Sequence, residues 1–209
     1  MSVKTIITIG RQTGCGGREI GKRIAEQLQI PYYDKELIDR AADNSEFSKE
    51  FFKTHDEKRA SSFLYSLAME SPSHGFAGAL SGLPLDHKVF LAQFNTIKEI
   101  AQEGGCVIVG RCADYALEDN PHLLSLFLHA DLEFRTERVA EELGISKNEA
   151  RTLINKTDKS RASYYSYYSG RKWGVASNYH VSIDSSKFGV EETVRIISSI
   201  AQIKSDMEE

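Results

Sequence analysis

The chain has 209 residues, 41% of them hydrophobic and 27% charged, which suits one globular domain, or one domain with an inserted lid. Its net charge of −4 excludes a generalised nucleic-acid coat and a polybasic membrane patch.

Cys15, Cys106 and Cys112 are too few and too far apart for a disulfide framework or zinc spacing, and read as free thiols in a reducing compartment. The opening MSVKTIITIG reads as strand rather than signal peptide, and no apolar run approaches the roughly 20 residues of a membrane span. A cytoplasmic chain is expected, with neither a membrane nor a nucleic acid as partner; a homo-oligomer remains compatible with the sequence.

Thr5 to Ile9 carries β-branched residues in alternation and predicts a buried strand that runs straight into GRQTGCGGRE. Ile20, Ile24, Ala25 and Leu28 then repeat at helical spacing, so a helix is predicted from near Gly17 to about Gln29. Strand, glycine loop and helix form the first half of a βα unit. Ile30 to Tyr33 predicts a short second strand, and Asp34 is placed to cap a helical stretch from Lys35 to about Leu67. SPSHGFAGALSGLP, from Ser71 to Pro84, predicts a loop.

Val89 to Gln102 has helical periodicity that Gly104-Gly105 stops. CVIVG, residues 106–110, and Leu123 to Leu128 are apolar runs of the kind a central parallel strand carries. Leu132 to Leu143 predicts a helix ended by Gly144, and Ser146 to about Tyr168 one charged helix or two. A last strand, His180 to Ile183, and an amphipathic helix, Val190 to Ile203, close the pattern. Strands without polar alternation, separated by helices, predict a three-layer α/β/α fold with a central parallel sheet of about five strands. Ligands of such sheets bind beyond the C-terminal strand ends, where the glycine loop, the Gly110-Arg111 turn and Asp184 all fall.

The glycine loop carries the chemistry. Gly10, Gly14, Gly16 and Gly17 lie between a strand and a helix, where glycine lets backbone N–H groups approach an anion and the helix end adds further donors. The usual phosphate-loop pattern is GxxxxGK[ST], with a lysine that reaches the β- and γ-phosphates. Here Gly17 follows Gly16, and the Gly10–Gly16 spacing is one residue longer than the pattern. A different cation must therefore serve; Arg18 is the nearest and Lys22, one turn on, the next. Thr13 is the only hydroxyl in the loop. Arg111 follows a buried strand, at a ligand-facing position. Arg135, Arg138, Arg171 and Lys172, taken singly, read as solvated surface charges. Tyr164, Tyr165, Tyr167, Tyr168 and Trp173 in TDKSRASYYSYYSGRKWG either stack on a base or pack a helix hairpin. Capping alone explains Asp34 and Asp184.

Taken in order, these segments resemble the cytidylate kinase-like group of P-loop proteins, relatives of bacterial cytidylate kinase. ITIGRQTGCGGREIG resembles the group's modified phosphate loop, with Gly-Gly-Arg where lysine is expected; PYYDKELI resembles its acceptor-side segment and VIVGRCADYAL its Gly-Arg segment. LFLHADLEFRTERV is similar to the strand and helix before the lid, TDKSRASYY to the lid motif with Asp-x-x-Arg, and SNYHVSIDSSKFGVEETV to the last strand and helix. The resemblance implies a P-loop NTPase fold with a helical lid: one P-loop kinase-like domain over 1–209, an acceptor-side helical segment near 34–103 and a lid near 146–176.

It further implies an ATP-dependent phosphotransferase with Mg²⁺. The acceptor would be a nucleoside monophosphate, with CMP as a candidate. Gly10, Thr13, Gly14, Cys15, Gly16, Gly17, Arg18 and Glu19 would hold the donor, Arg18 replacing the lysine. Arg111 would hold the acceptor phosphate and Arg161 would close from the lid, both beside the transferring group. Asp34, Asp114 and Asp158 would complete the acceptor side. No metal-ligating residue set is expected. Two alternatives stand beside this reading: a non-catalytic nucleotide sensor, and a kinase for another small metabolite with Ser71 to Pro84 reshaping the acceptor pocket.

Overall fold

A computed structural model of the chain describes residues 4–34, 40 and 85–207. The helical stretch expected from Lys35 and the Ser71–Pro84 loop lie outside the described residues. The described chain runs β1 (Ile6–Arg11), α1 (Gly17–Leu28), β2 (Tyr32–Tyr33), α2 (Leu85–Glu103), β3 (Cys106–Val109), α3 (Ala113–Ala116), β4 (Leu123–His129), α4 (Leu132–Leu143), α5 (Lys147–Ser169), β5 (Val181–Asp184) and α6 (Ser185–Asp206). A single 3₁₀ turn, Ala176–Asn178, precedes β5.

The strands form one parallel sheet in the order β2-β3-β1-β4-β5. Because side chains alternate across a strand, the apolar runs supply two faces at once. Ile7, Ile9, Val107, Val109, Leu124, Leu126 and Leu128 face α1 and α6, meeting Ile20, Ile24, Val194 and Ile197. Ile6, Cys106, Ile108, Leu123 and Phe127 face the other way, onto α2, α3 and the C-terminal end of α5. Helices thus cover both faces, and β1 is the middle strand, with the glycine loop beyond its C-terminal end.

β1 continues two residues past the predicted Ile9, because Gly10 pairs with Phe127 and Arg11 with Leu128 of β4. Sheet pairing there overrides the poor strand preference of glycine. α5 is one continuous helix, started by a capping box: the Glu149 amide donates to Ser146 Oγ and the Ser146 amide to Glu149 Oε2, at 3.3 and 2.9 Å. In α6 Gly189 breaks the helical geometry, so the regular helix resumes at the predicted Val190.

The tyrosine-rich end of α5 packs. Tyr164, Tyr165 and Tyr168 are buried, and Tyr168 stacks on Phe90 of α2 with ring centres 3.6 Å apart and planes 7° from parallel. Trp173 meets Phe127 edge-on at 5.2 Å. Such pairs each add about 0.5–1.5 kcal/mol beyond the area they bury. The other half of α5 pairs with α4 around a separate small cluster of Val139, Ala150 and Ile154, with Leu132, Ala140 and Ile145 against it. That hairpin forms one wall of the cleft described next.

Candidate active site

The glycine loop leaves β1 and re-enters helix at Gly17, with Gly14 and Gly16 both left-handed at φ 81° and 80°. At Gly14 a side chain is also barred by space, since a Cβ would lie 2.7 Å from the Arg135 carbonyl oxygen. The loop is pinned from several sides. Ala130 N–H donates to Gln12 Oε1 at 3.2 Å, and Ser185 Oγ donates to the Cys15 carbonyl at 2.7 Å. Thr13 N–H donates to Asp158 Oδ1 at 2.8 Å, while Arg135 Nη1 reaches Asp158 Oδ2 at 2.7 Å and the Thr13 carbonyl at 3.3 Å. From the same helix as Asp158, Arg161 Nη1 donates to the Arg11 carbonyl and to Thr13 Oγ1, at 3.3 and 3.2 Å. The Gln12 amide is committed to the Leu128 carbonyl at 3.0 Å and the Thr13 amide to Asp158, so neither serves an anion.

Above the loop lies a cleft of about 400 Å³, walled by the loop, α4 and α5. Four arginines, Arg11, Arg18, Arg138 and Arg161, line it against two glutamates, Glu19 and Glu142. Arg138 is held by both, at 2.7 Å from Glu19 and 2.9 Å from Glu142. The mouth carries Leu143 and Leu153, 56% and 37% exposed, an apolar edge on an otherwise polar opening.

A second, smaller cavity of about 30 Å³ adjoins it at the end of β3. Arg11, Arg111, Arg161 and Asp114 line it together with Tyr165 and Tyr179. Here the backbone takes three consecutive left-handed residues, Gly110 (φ 83°), Arg111 (φ 62°) and Cys112 (φ 54°). For the two non-glycine residues that conformation costs roughly 1–2 kcal/mol each. Strain of this kind gathers where side chains must be aimed, and here it sets Arg111 on the cavity wall.

The predicted residues are thus brought together at one sheet edge, with differences of role. Arg111 and Arg161 share the smaller cavity, and Arg161 also touches the loop. Arg18, the expected lysine substitute, is 68% exposed and ion-paired with Asp34 at 2.7 Å. Asp34 holds that arginine, Asp158 holds the loop and Arg135, and Asp114 accepts from Tyr165 Oη at 2.7 Å. Cys15 is buried beneath the loop, and burial pushes its thiol up, against the Gly17 amide and nearby arginines that pull it down; a nucleophile needs the reverse. Arg135 corrects the reading of it as a surface charge: it is 7% exposed, and its Nε donates to the Ala130 carbonyl at 3.0 Å.

Arg11, Gln12 and Ser185 were not singled out from the sequence. For Arg11 a signal existed: Gly10-Arg11 at the end of β1 repeats Gly110-Arg111 at the end of its neighbour β3.

Burial pushes the Asp114 carboxyl above its ordinary range, against the Tyr165 hydroxyl that pulls it down. The folded protein therefore holds that proton more tightly than the unfolded chain. Ionisation of Asp114 costs no stability below the ordinary carboxylate range and subtracts it progressively as pH rises through that range to the folded-state value. Asp114→Asn, which keeps an acceptor for Tyr165, should melt above the parent at about pH 8, by roughly 2–4 °C per kcal/mol relieved. The gap should close toward about pH 4. Melting curves across that range check it; an unchanging gap would mean the charge is not the cause.

The profile of the cytidylate kinase-like family matches residues 6–187. The chain belongs to that family. Similarity to a cytidylate kinase of Methanopyrus kandleri covers 95% of this chain and 93% of the relative, at 27% identity. A crystal structure of an uncharacterized protein from Eubacterium ventriosum is 32% identical with a TM-score of 0.73, covering 96% of this chain and 99% of that one. Shikimate kinase from Bacteroides thetaiotaomicron, at 14% identity, shares the fold alone: its TM-score is 0.54 over 95% of this chain and 98% of that one. The cytidylate kinase-like chain thus has the α/β fold of the P-loop kinases and is kinase-like in class. Among the described residues no helix is long and apolar enough to cross a membrane.

Proposed function

We propose that the chain is an ATP-dependent phosphotransferase whose acceptor is a nucleoside monophosphate, CMP being the first to test. The observation that carries the reading is the placement of two cavities side by side, one opened by the glycine loop and one by Gly110-Arg111, with Arg161 on the wall of both. Relatives named cytidylate kinase support the choice of acceptor. The chain acts as one domain, with residues 34–103 on the acceptor side and 146–176 as the lid.

The loop suits a triphosphate: Gly14 and Gly16 are left-handed, α1 starts directly beyond them, and arginines line the cleft wall. Amides from Gly14 to Arg18 hold the donor phosphates, and Leu143 and Leu153 offer an apolar edge to a base. Mg²⁺ would be held largely by the nucleotide's own phosphates and would supply charge neutralisation there; Thr13 carries the loop's hydroxyl. Arg111 holds the acceptor phosphate in line. An acceptor phosphate oxygen bonds to the γ-phosphorus as the bond to the β,γ-bridging oxygen breaks, and that electron pair leaves on ADP. Arg161 lies where charge builds on the transferring group. No general base is required, because the acceptor oxygen is already anionic and positioning carries most of the rate.

Coupled measurement of ADP release across nucleoside monophosphates, and then across unbiased metabolite mixtures, tests this. Turnover with one monophosphate is expected. ATP binding without turnover on any acceptor would instead favour a nucleotide sensor, the reading that Gly17 in the lysine position supports. Turnover on a different metabolite would keep the chemistry and replace the acceptor.

A further inference from the structure

The missing lysine leaves a specific trace in the packing. A Cβ added at Gly17 would lie 2.8 Å from Arg11 Cβ and 2.9 Å from Arg11 Cγ, closer than real side chains approach. The space in which a side chain at position 17 would begin is therefore already filled, by the stem of Arg11. At the other end of the same side chain, a Cβ added at Gly110 would overlap Arg11 Nη1. Arg11 accordingly runs from the start of α1 to the turn after β3, and both positions that face it are glycine. Its residue is 8% exposed, and it lines the large cleft and the small cavity alike.

We infer that Arg11 is the cation that replaces the phosphate-loop lysine, its guanidinium contacting the donor's terminal phosphates from the boundary between the two cavities. The inference rests on the phosphotransferase reading of the same site and names the residue that reading lacks. Arg18 is the poorer candidate: it is mostly exposed, and its charge is already engaged 2.7 Å from Asp34. Arg11 has what a fixed cation needs. Its stem is confined between Gly17 and Gly110, its backbone is held by β4 pairing and by Arg161, and its surroundings exclude most water, where a charge acts more strongly. A guanidinium presents several donors in one plane, so it can hold oxygens of one phosphate while facing a second. A lysine offers one compact point of charge.

Inorganic tripolyphosphate is the probe, because its binding requires neither an acceptor nor turnover. The full chain is compared with Arg11→Met, Arg11→Lys and Arg18→Gln by calorimetric titration at fixed ionic strength, with circular dichroism confirming the fold. Methionine and lysine both keep a stem between the two glycines, and only lysine keeps the charge. Arg11→Met is expected to weaken tripolyphosphate by about 10–100-fold, with Arg11→Lys recovering most of the loss and Arg18→Gln staying within about 3-fold of the parent. Equal affinities for the methionine and lysine variants would overturn the inference, as would a loss at Arg18 matching that at Arg11. Should Arg11→Met not fold, Arg11→Gln, which keeps a shorter uncharged stem between the two glycines, takes its place against Arg11→Lys and is judged by the same ordering. If the parent binds tripolyphosphate yet phosphorylates nothing, the kinase reading falls and the role of Arg11 stands; if the parent does not bind it, both fall.

Discussion

Arg161→Ala is expected to lower kcat for phosphoryl transfer on the order of 10³-fold, the scale on which an arginine beside the transferring group acts, while the protein stays folded. Both halves follow from its contacts. Among the described residues its hydrogen bonds are two, from Nη1, at 3.2 and 3.3 Å, while Nε has no hydrogen-bond partner there. Long bonds of a partly buried side chain contribute about 1 kcal/mol or less apiece. Melting should therefore move by no more than about 8 °C in a chain of this size. The kinetic effect is larger because charge accumulates on the transferring group only in the transition state, and Arg161 lines both cavities. An interaction made only there lowers kcat and kcat/KM together and leaves KM nearly unchanged. Steady-state kinetics with saturating ATP check it. A raised KM at constant kcat would move Arg161 from the transferring group to simple substrate binding.

The sheet was legible in the sequence because its signals are local. Thr5 to Ile9, CVIVG and Leu123 to Leu128 are largely apolar runs, and glycines mark where the first two turn; the structure places β1, β3 and β4 there. The glycine loop and the Gly110-Arg111 turn were legible for the same reason. α3 was not, since four residues are too few to show a helical period. The site's support was hidden more deeply. Arg135 looks like any helix arginine until Asp158, on the next helix, folds against it. The weight of Arg11 depends on two glycines, of which Gly110 joins it only once β1 pairs with β3. Burial of a charged side chain belongs to the pair of elements that enclose it, and a single segment cannot report it.

Asp158→Ala is expected to lower the melting temperature by on the order of 10 °C, the largest stability effect at the site. Asp158 joins two requirements in one carboxylate: Oδ1 accepts the Thr13 amide and Oδ2 pairs with Arg135. The side chains are 16% and 9% exposed. Truncation would strand a buried guanidinium and orphan a loop amide. Removing one partner of a buried pair costs about 3–5 kcal/mol, and each kcal/mol lowers melting by about 2–4 °C in a chain of this length. Asp158→Asn should fall between, because it returns an acceptor to Thr13 without returning the charge. Combining Asp158→Ala with Arg135→Met removes the stranded charge as well, so the double variant should melt above Asp158→Ala alone. Calorimetry of the four proteins checks the ordering; a single variant within about 2 °C of the parent would show the pair to be superficial. Asp158 and Arg161 stand three residues apart on one face of α5. Asp158 holds the loop in shape and Arg161 brings charge to it, so Asp158→Ala should be read first in melting and Arg161→Ala in kcat.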